Sequence, residues 1–126
     1  QKATMVKFIK AFGTLLSRGE TILIYPEQGM WWNYRKPRPM QDGAFSLAVR
    51  NNAPVIPIFI TMEDSDIIDG DGFPVQEYTL HILPAIYPNP NLSYPAAKKD
   101  MKNKNYEAWV RTYEEFYKTQ LRYSAP

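Results

Sequence analysis

Two apolar runs, Thr21–Tyr25 and Pro54–Ile60, constrain this chain more than any other feature. Between them lie a polar, basic loop and a helix-like segment. Two such runs joined by a loop and a helix read as a βαβ unit with parallel strands. Thr21-Ile-Leu-Ile-Tyr25 is too apolar for a strand with one wet face, so it reads as a central strand buried on both sides. Pro26 cannot donate to a ladder and ends it. Ligands of open α/β sheets sit outside the carboxyl ends of the strands. The loop leaving Tyr25 therefore lies where a site is expected.

The remaining elements follow from periodicity. Residues 3–18 carry Met5, Phe8, Ile9, Phe12, Leu15 and Leu16 at helical spacing, with Gly19 placed to stop the helix. That apolar stripe is expected in the core, because a strand begins two residues later. The loop 27–41 is long for a βα connection, and long ordered loops are commonly functional. Asp42 is a suitable N-cap for a helix over Gly43–Asn51, and Asn51-Asn52 is a plausible stop. Pro57 inside the second run requires a bulge or a neighbour that does not need its N–H. Residues 63–74 are acidic and turn-rich but do not fit a calcium-loop register, so they read as a solvated connection. A third strand is expected over Tyr78–Tyr87, and a loop rich in Pro, Asn and Lys, with room for one short helical turn, over 88–105. A final helix, from about Asn105 to Tyr123, carries the aromatic stripe Tyr106, Trp109, Tyr113, Phe116 and Tyr117. The 126 residues suffice for one domain. The fold class is α/β: a partial mixed sheet with flanking helices.

Composition narrows the chemistry. There is no cysteine, which excludes disulfides, thiol catalysis and cysteine-metal sites, and a single histidine argues against a His-rich metal site. No apolar run approaches the roughly 20 residues that span a bilayer. Net charge is +2, yet residues 1–50 hold eight Lys/Arg against three Asp/Glu, whereas residues 51–126 hold seven against ten. The basic half contains the candidate loop, which suits an anionic ligand or an anionic lipid surface, while Lys2, Lys7 and Lys10 read as a solvated helix face. Nothing points to nucleic acid.

Glu27 follows the strand-ending proline at the mouth of the sheet. A carboxylate there suits binding a hydroxyl, orienting a base, or proton transfer; turn stabilisation is the plain alternative. Arg35, Lys36 and Arg38 form a compact cation cluster, stiffened by Pro37 and Pro39, that matches phosphate chemistry. Trp31, Trp32 and Tyr34 suit an acyl or headgroup site or a lipid interface, or a structural loop. His81, between Leu80 and Ile82 in a strand, reads as structural. There is no Gly-rich phosphate loop and no serine elbow.

The string ILIYPEQG, then DGAFSLA, then APVIPIFI resembles the glycerophospholipid acyltransferases, such as lysophosphatidic acid acyltransferase. Tyr25, Pro26 and Glu27 match the start of the family's third block, Phe-Pro-Glu-Gly-Thr-Arg. Gly43 and Ala44 match its helix opening, and Pro54–Ile58 match its fourth block. The matches cover residues 15–60 well and the remainder in outline. Gln28-Gly29-Met30 stands where the family has Gly-Thr-Arg, so the usual phosphate-binding arginine is missing, and Arg35, Lys36 or Arg38 is the natural replacement. The family's first block is His, four residues, then Asp, well before the Pro-Glu block. His81 lies after that block, with Ile86 five residues on, and does not form the motif.

The resemblance thus implies the carboxy-terminal portion, residues 1–126, of a single acyltransferase domain. Pro26, Glu27, Gln28, Gly29, Arg35, Lys36 and Arg38 would bind the acceptor, with no catalytic residue, no metal and no cofactor in this chain. The donor would be acyl-CoA or acyl-carrier protein, and the acceptor a lysophospholipid or related phosphate. The whole protein would work at the cytoplasmic side of a membrane, peripheral or anchored through upstream segments, while this piece is soluble and inactive alone. An uncovered sheet edge would drive self-association. A non-catalytic anion- or lipid-binding α/β domain is the alternative reading.

Overall fold

The computed structural model describes residues 2–29, 31 and 33–123. In chain order it contains α1 (Lys2–Ser17), α2 (Gly43–Arg50), β1 (Ile58–Ile68), β2 (Pro74–Ile82) and α3 (Tyr94–Tyr117). The α/β class with flanking helices holds. The sheet is a two-stranded antiparallel hairpin.

That arrangement replaces the expected parallel pair. Ile22–Tyr25 runs without a β partner among the described residues, with Leu23 69% and Tyr25 70% exposed. The second apolar run takes its ladder from the nearest strand in sequence. Phe59 pairs with His81, Thr61 with Thr79 and Met62 with Tyr78. A short turn closes this hairpin at small entropic cost, whereas the parallel pair needs a crossover from Tyr25 to Pro54. Asp69 organises the turn: its Oδ1 accepts from the amides of Asp71 (2.9 Å) and Phe73 (3.2 Å). Half of the acidic stretch expected as a connection is therefore strand.

Pro57 is fully buried just before β1, and its carbonyl accepts from Leu83 N at 2.9 Å. Val55 and Ile86 exchange both backbone bonds two residues earlier. The register slips by one residue between these pairs. A bulge thus accommodates the missing proline N–H.

α3 is the main correction at the C-terminal end. It begins at Tyr94, not Asn105, and ends at Tyr117. Ser93 caps it, accepting from Ala96 N, and Pro95 sits in the first turn, where no intrahelical N–H is needed. Ala97, Met101, Asn105, Ala108, Trp109 and Tyr113 give it a buried face. Lys118, at φ +55°, stops it. The core gathers Met40, Phe45, Ala48, Phe59, Met101, Trp109 and Tyr113, joining α2, α3 and one face of β1. The Phe59 and Trp109 rings lie 5.8 Å apart.

α1 departs from expectation most. It has no buried residue, and Met5, Val6 and Phe8 are exposed. Gly19, at φ +80°, ends it as read from sequence. Gly13 lies close to the end of α2: a Cβ there would stand 3.1 Å from Asn51 Oδ1. Met5, Phe8, Ile9 and Phe12 of its apolar stripe line an open cleft, and none of the stripe is buried.

Candidate functional site

The corner at Tyr25–Gln28 positions the site. Gln28 N donates to Tyr25 O at 3.2 Å, and Gln28 sits at φ +56°, a left-handed conformation uncommon for a side-chain-bearing residue. Pro26 O accepts from Gln41 N at 2.8 Å. That bond ties the two ends of the long loop together, so the chain enters α2 beside the corner.

A cleft of ≈ 330 Å³ opens here. Met5, Phe8, Ile9 and Phe12 of α1 form one wall; Ile24, Tyr25, Pro26 and Gln28 form the second. The first two turns of α2, with Leu47, form the third, and Gln41, Ser46 and Arg50 bring polar groups to it. Phe8 and Phe12 stack edge-on with centroids 4.3 Å apart. An apolar trough with a few polar groups suits a molecule with an apolar tail and a polar head.

The sequence-predicted residues are distributed unevenly around this cleft. Pro26 and Gln28 line it. Glu27 is half-buried and makes no ion pair among the described residues. Gly29 is joined to Arg38, whose guanidinium donates to the Gly29 carbonyl and lies 3.8 Å from the Trp31 ring centroid. Arg38 thus folds back onto the Pro-Glu loop. Arg35 turns the other way, donating to Gln76 Oε1 (3.0 Å) and pairing with Asp64 (3.3 Å) on the hairpin. Lys36 donates to the Arg122 carbonyl near the C-terminus. The three cations form no common cluster: two brace the hairpin and the tail, and one braces the corner. Trp32 and Met30 lie outside the described residues.

His81 Nε2 shares a 2.7 Å hydrogen bond with Thr61 Oγ1, and the imidazole packs edge-on against Phe116. This is the structural role read from its place in a strand. Asp42 occupies the N-cap position of α2 without a side-chain capping bond. Its carboxylate instead reaches Lys102 (2.9 Å) and Lys98 (3.6 Å) on α3. The Lys102 hydrogen bond and charge, with Lys98 adding less, hold the Asp42 carboxyl below its ordinary range.

Sequence reasoning missed the α1 wall and the α2–α3 junction. Arg50 Nε donates to Tyr94 Oη at 3.1 Å, and Lys98 Nζ lies 5.5 Å from the same ring. Ser46, then Arg50 and Lys98, hold the Tyr94 phenol below its ordinary pKa. The amphipathic period of residues 3–18 was the available signal for the wall; nothing in the sequence aimed Arg50 at the cleft.

Fold and cleft together describe an α/β domain in which a Pro-Glu corner, the opening of a helix and an apolar trough meet. The model of a family described as Acyltransferase matches residues 1–61, the segment that builds all three walls. Over that segment, just under half of the chain, the protein is similar to an acyltransferase family. No curated protein and no solved structure matches the chain.

Proposed function

We propose that this protein takes part in acyl transfer from an acyl thioester, acyl-CoA or acyl-carrier protein, to the hydroxyl of a lysophospholipid or related phosphate-bearing acceptor. This chain supplies part of the acceptor site. The acceptor oxygen attacks the thioester carbonyl, the C–O ester bond forms, the C–S bond breaks, and the hydroxyl proton passes through a base to the leaving thiolate. The chain's one histidine is held by Thr61 within the hairpin, so this reading assigns it no part as the base. Pro26, Glu27, Gln28 and Gly29 present the acceptor's polar end, and the α1 wall takes its chain. No cofactor is needed for this chemistry.

The observation that carries this reading is the cleft itself: an apolar trough ending at the Pro-Glu corner, inside the family-matched segment. A lipid acceptor also places the work at a membrane surface, on the cytoplasmic side where acyl thioesters reside. α1 suits that surface, with Lys2, Lys7 and Lys10 and no acidic residue. No helix among the described residues is long and apolar enough to cross a membrane.

Calorimetric titration with lysophosphatidic acid below its micelle concentration tests the acceptor site. Saturable binding, and much weaker binding of glycerol 3-phosphate, is expected; no binding of the lysolipid would remove the reading. The second reading, a non-catalytic lipid-binding domain, draws on the same cleft and on the structural role of His81. Acyl-CoA that competes with or enhances lysolipid binding favours the transferase.

A further inference from the structure

The three cations of the loop that follows the Pro-Glu corner are engaged by the protein itself. Arg35 is held by Gln76 and Asp64, Lys36 by the Arg122 carbonyl, and Arg38 by the Gly29 carbonyl and the Trp31 face. Arg50 is the cation that lines the cleft. Resting on the acceptor-site reading above, we infer that Arg50 holds the anionic head of a single-chain amphiphile whose tail lies along Met5, Phe8, Ile9 and Phe12.

Three observations build the site. Arg50 leaves the last turn of α2, and its Nε is fixed by the Tyr94 hydroxyl at 3.1 Å while its guanidinium carbon lies 5.3 Å from the Tyr94 ring centroid. One edge of the guanidinium is thereby oriented. Its two terminal amino groups make no hydrogen bond or ion pair among the described residues, leaving the fork that matches two oxygens of a phosphate or carboxylate. Lys98, 5.5 Å from the same ring, adds a second positive charge; Asp42 offsets it and Lys102 together without reaching Arg50. Tyr94 is a positioning residue here: it fixes the arginine and touches no ligand.

The α1 wall opposite offers no charge of either sign within the cleft. Affinity for the tail is therefore independent of the head, while affinity for the head rests on Arg50. That separation makes the inference testable with two ligands of the same acyl chain, lysophosphatidic acid and the uncharged monoacylglycerol.

Equilibrium binding of both ligands would be measured for the 126-residue chain and for Arg50→Gln, Arg50→Lys, Arg38→Gln and Lys104→Gln, each checked by thermal melting. Loss of a charge-assisted pair is worth about a tenfold rise in Kd. Arg50→Gln is expected to weaken lysophosphatidic acid by ~10-fold or more and leave monoacylglycerol unchanged. Arg50→Lys is expected to recover part of the loss, and Lys104→Gln to match the wild type. Equal binding of lysophosphatidic acid by Arg50→Gln and wild type overturns the assignment. So does an equal loss of both ligands in a variant that melts normally, or a selective loss in Arg38→Gln instead. Those outcomes leave the acceptor site standing, whereas a wild-type chain that binds neither ligand removes the acceptor site itself.

Discussion

Tyr117 fastens α3 to the outer edge of β1, and its hydroxyl can be removed without removing its ring. Tyr117 Oη accepts from Met62 N at 2.9 Å and donates to Met62 O at 3.2 Å. Met62 is 7% exposed, so water does not readily replace either bond. Tyr117→Phe keeps the ring contacts with Tyr113 and Phe116, at centroid distances of 4.9 Å each. What is lost is the pair of hydrogen bonds, leaving a buried donor and acceptor unpaired. The expected cost is about 2 kcal/mol. Unfolding entropy near the midpoint is about 2.1 cal/mol/K per residue, so over 126 residues the melting temperature falls by roughly 7 °C. Differential scanning calorimetry reads the shift, and amide hydrogen exchange locates it at Met62. Tyr78→Phe is the internal standard: Tyr78 donates to Asn33 at 3.4 Å from an exposed position, worth no more than ~0.5 kcal/mol. A Tyr117→Phe protein as stable as the wild type, or less affected than Tyr78→Phe, would refute the edge-capping argument.

Two further outcomes follow from the same geometry. The Asp42 carboxyl, lowered by Lys102 and then Lys98, contributes stability that is fully present above its ordinary value of 3.8 and lost as pH falls through the lower folded value. Lys102→Gln is expected to move the NMR-detected titration of Asp42 upward, and an unmoved midpoint would remove that ion pair from the account. β2 has an open outer edge at Tyr78, Leu80 and Ile82, all exposed and without a lysine among them. Leu80→Lys is expected to shift sedimentation toward monomer at unchanged melting temperature; a wild type that is already monomeric at high concentration would contradict self-association through that edge.

The legible and illegible parts of this chain separate by range of interaction. Local signals read well: the glycine stop at Gly19, the α2 helix from Gly43, the Asn51-Asn52 end with Asn52 at φ +48°, and the acyltransferase-like blocks within residues 15–60. Partner choice did not. Thr21–Tyr25 has the composition of a buried strand, yet composition names no partner, and the run at 54–60 pairs with the strand nearest in sequence. Residues 88–105 read as loop because they are rich in Pro, Asn and Lys, yet the helix begins at Tyr94. Their helix rests on the Ser93 cap and on Ala97, Met101 and Asn105, which meet the core four residues apart. Spacing likewise grouped Arg35, Lys36 and Arg38, while adjacent side chains in a bent loop face different neighbours. Arg50 carries no local signal of a site: its bond to Tyr94, 44 positions away, and its place in the cleft lining exist only in the fold.

The most direct test of the account maps a bound lysolipid onto the protein. In a ¹⁵N-labelled chain titrated with lysophosphatidic acid, the account predicts the largest amide shifts at Phe8, Phe12, Gln28 and Arg50, with the hairpin residues Thr61 and Thr79 unmoved. Shifts centred on the hairpin, or none at saturating lysolipid, would contradict an acceptor site at the Pro-Glu corner.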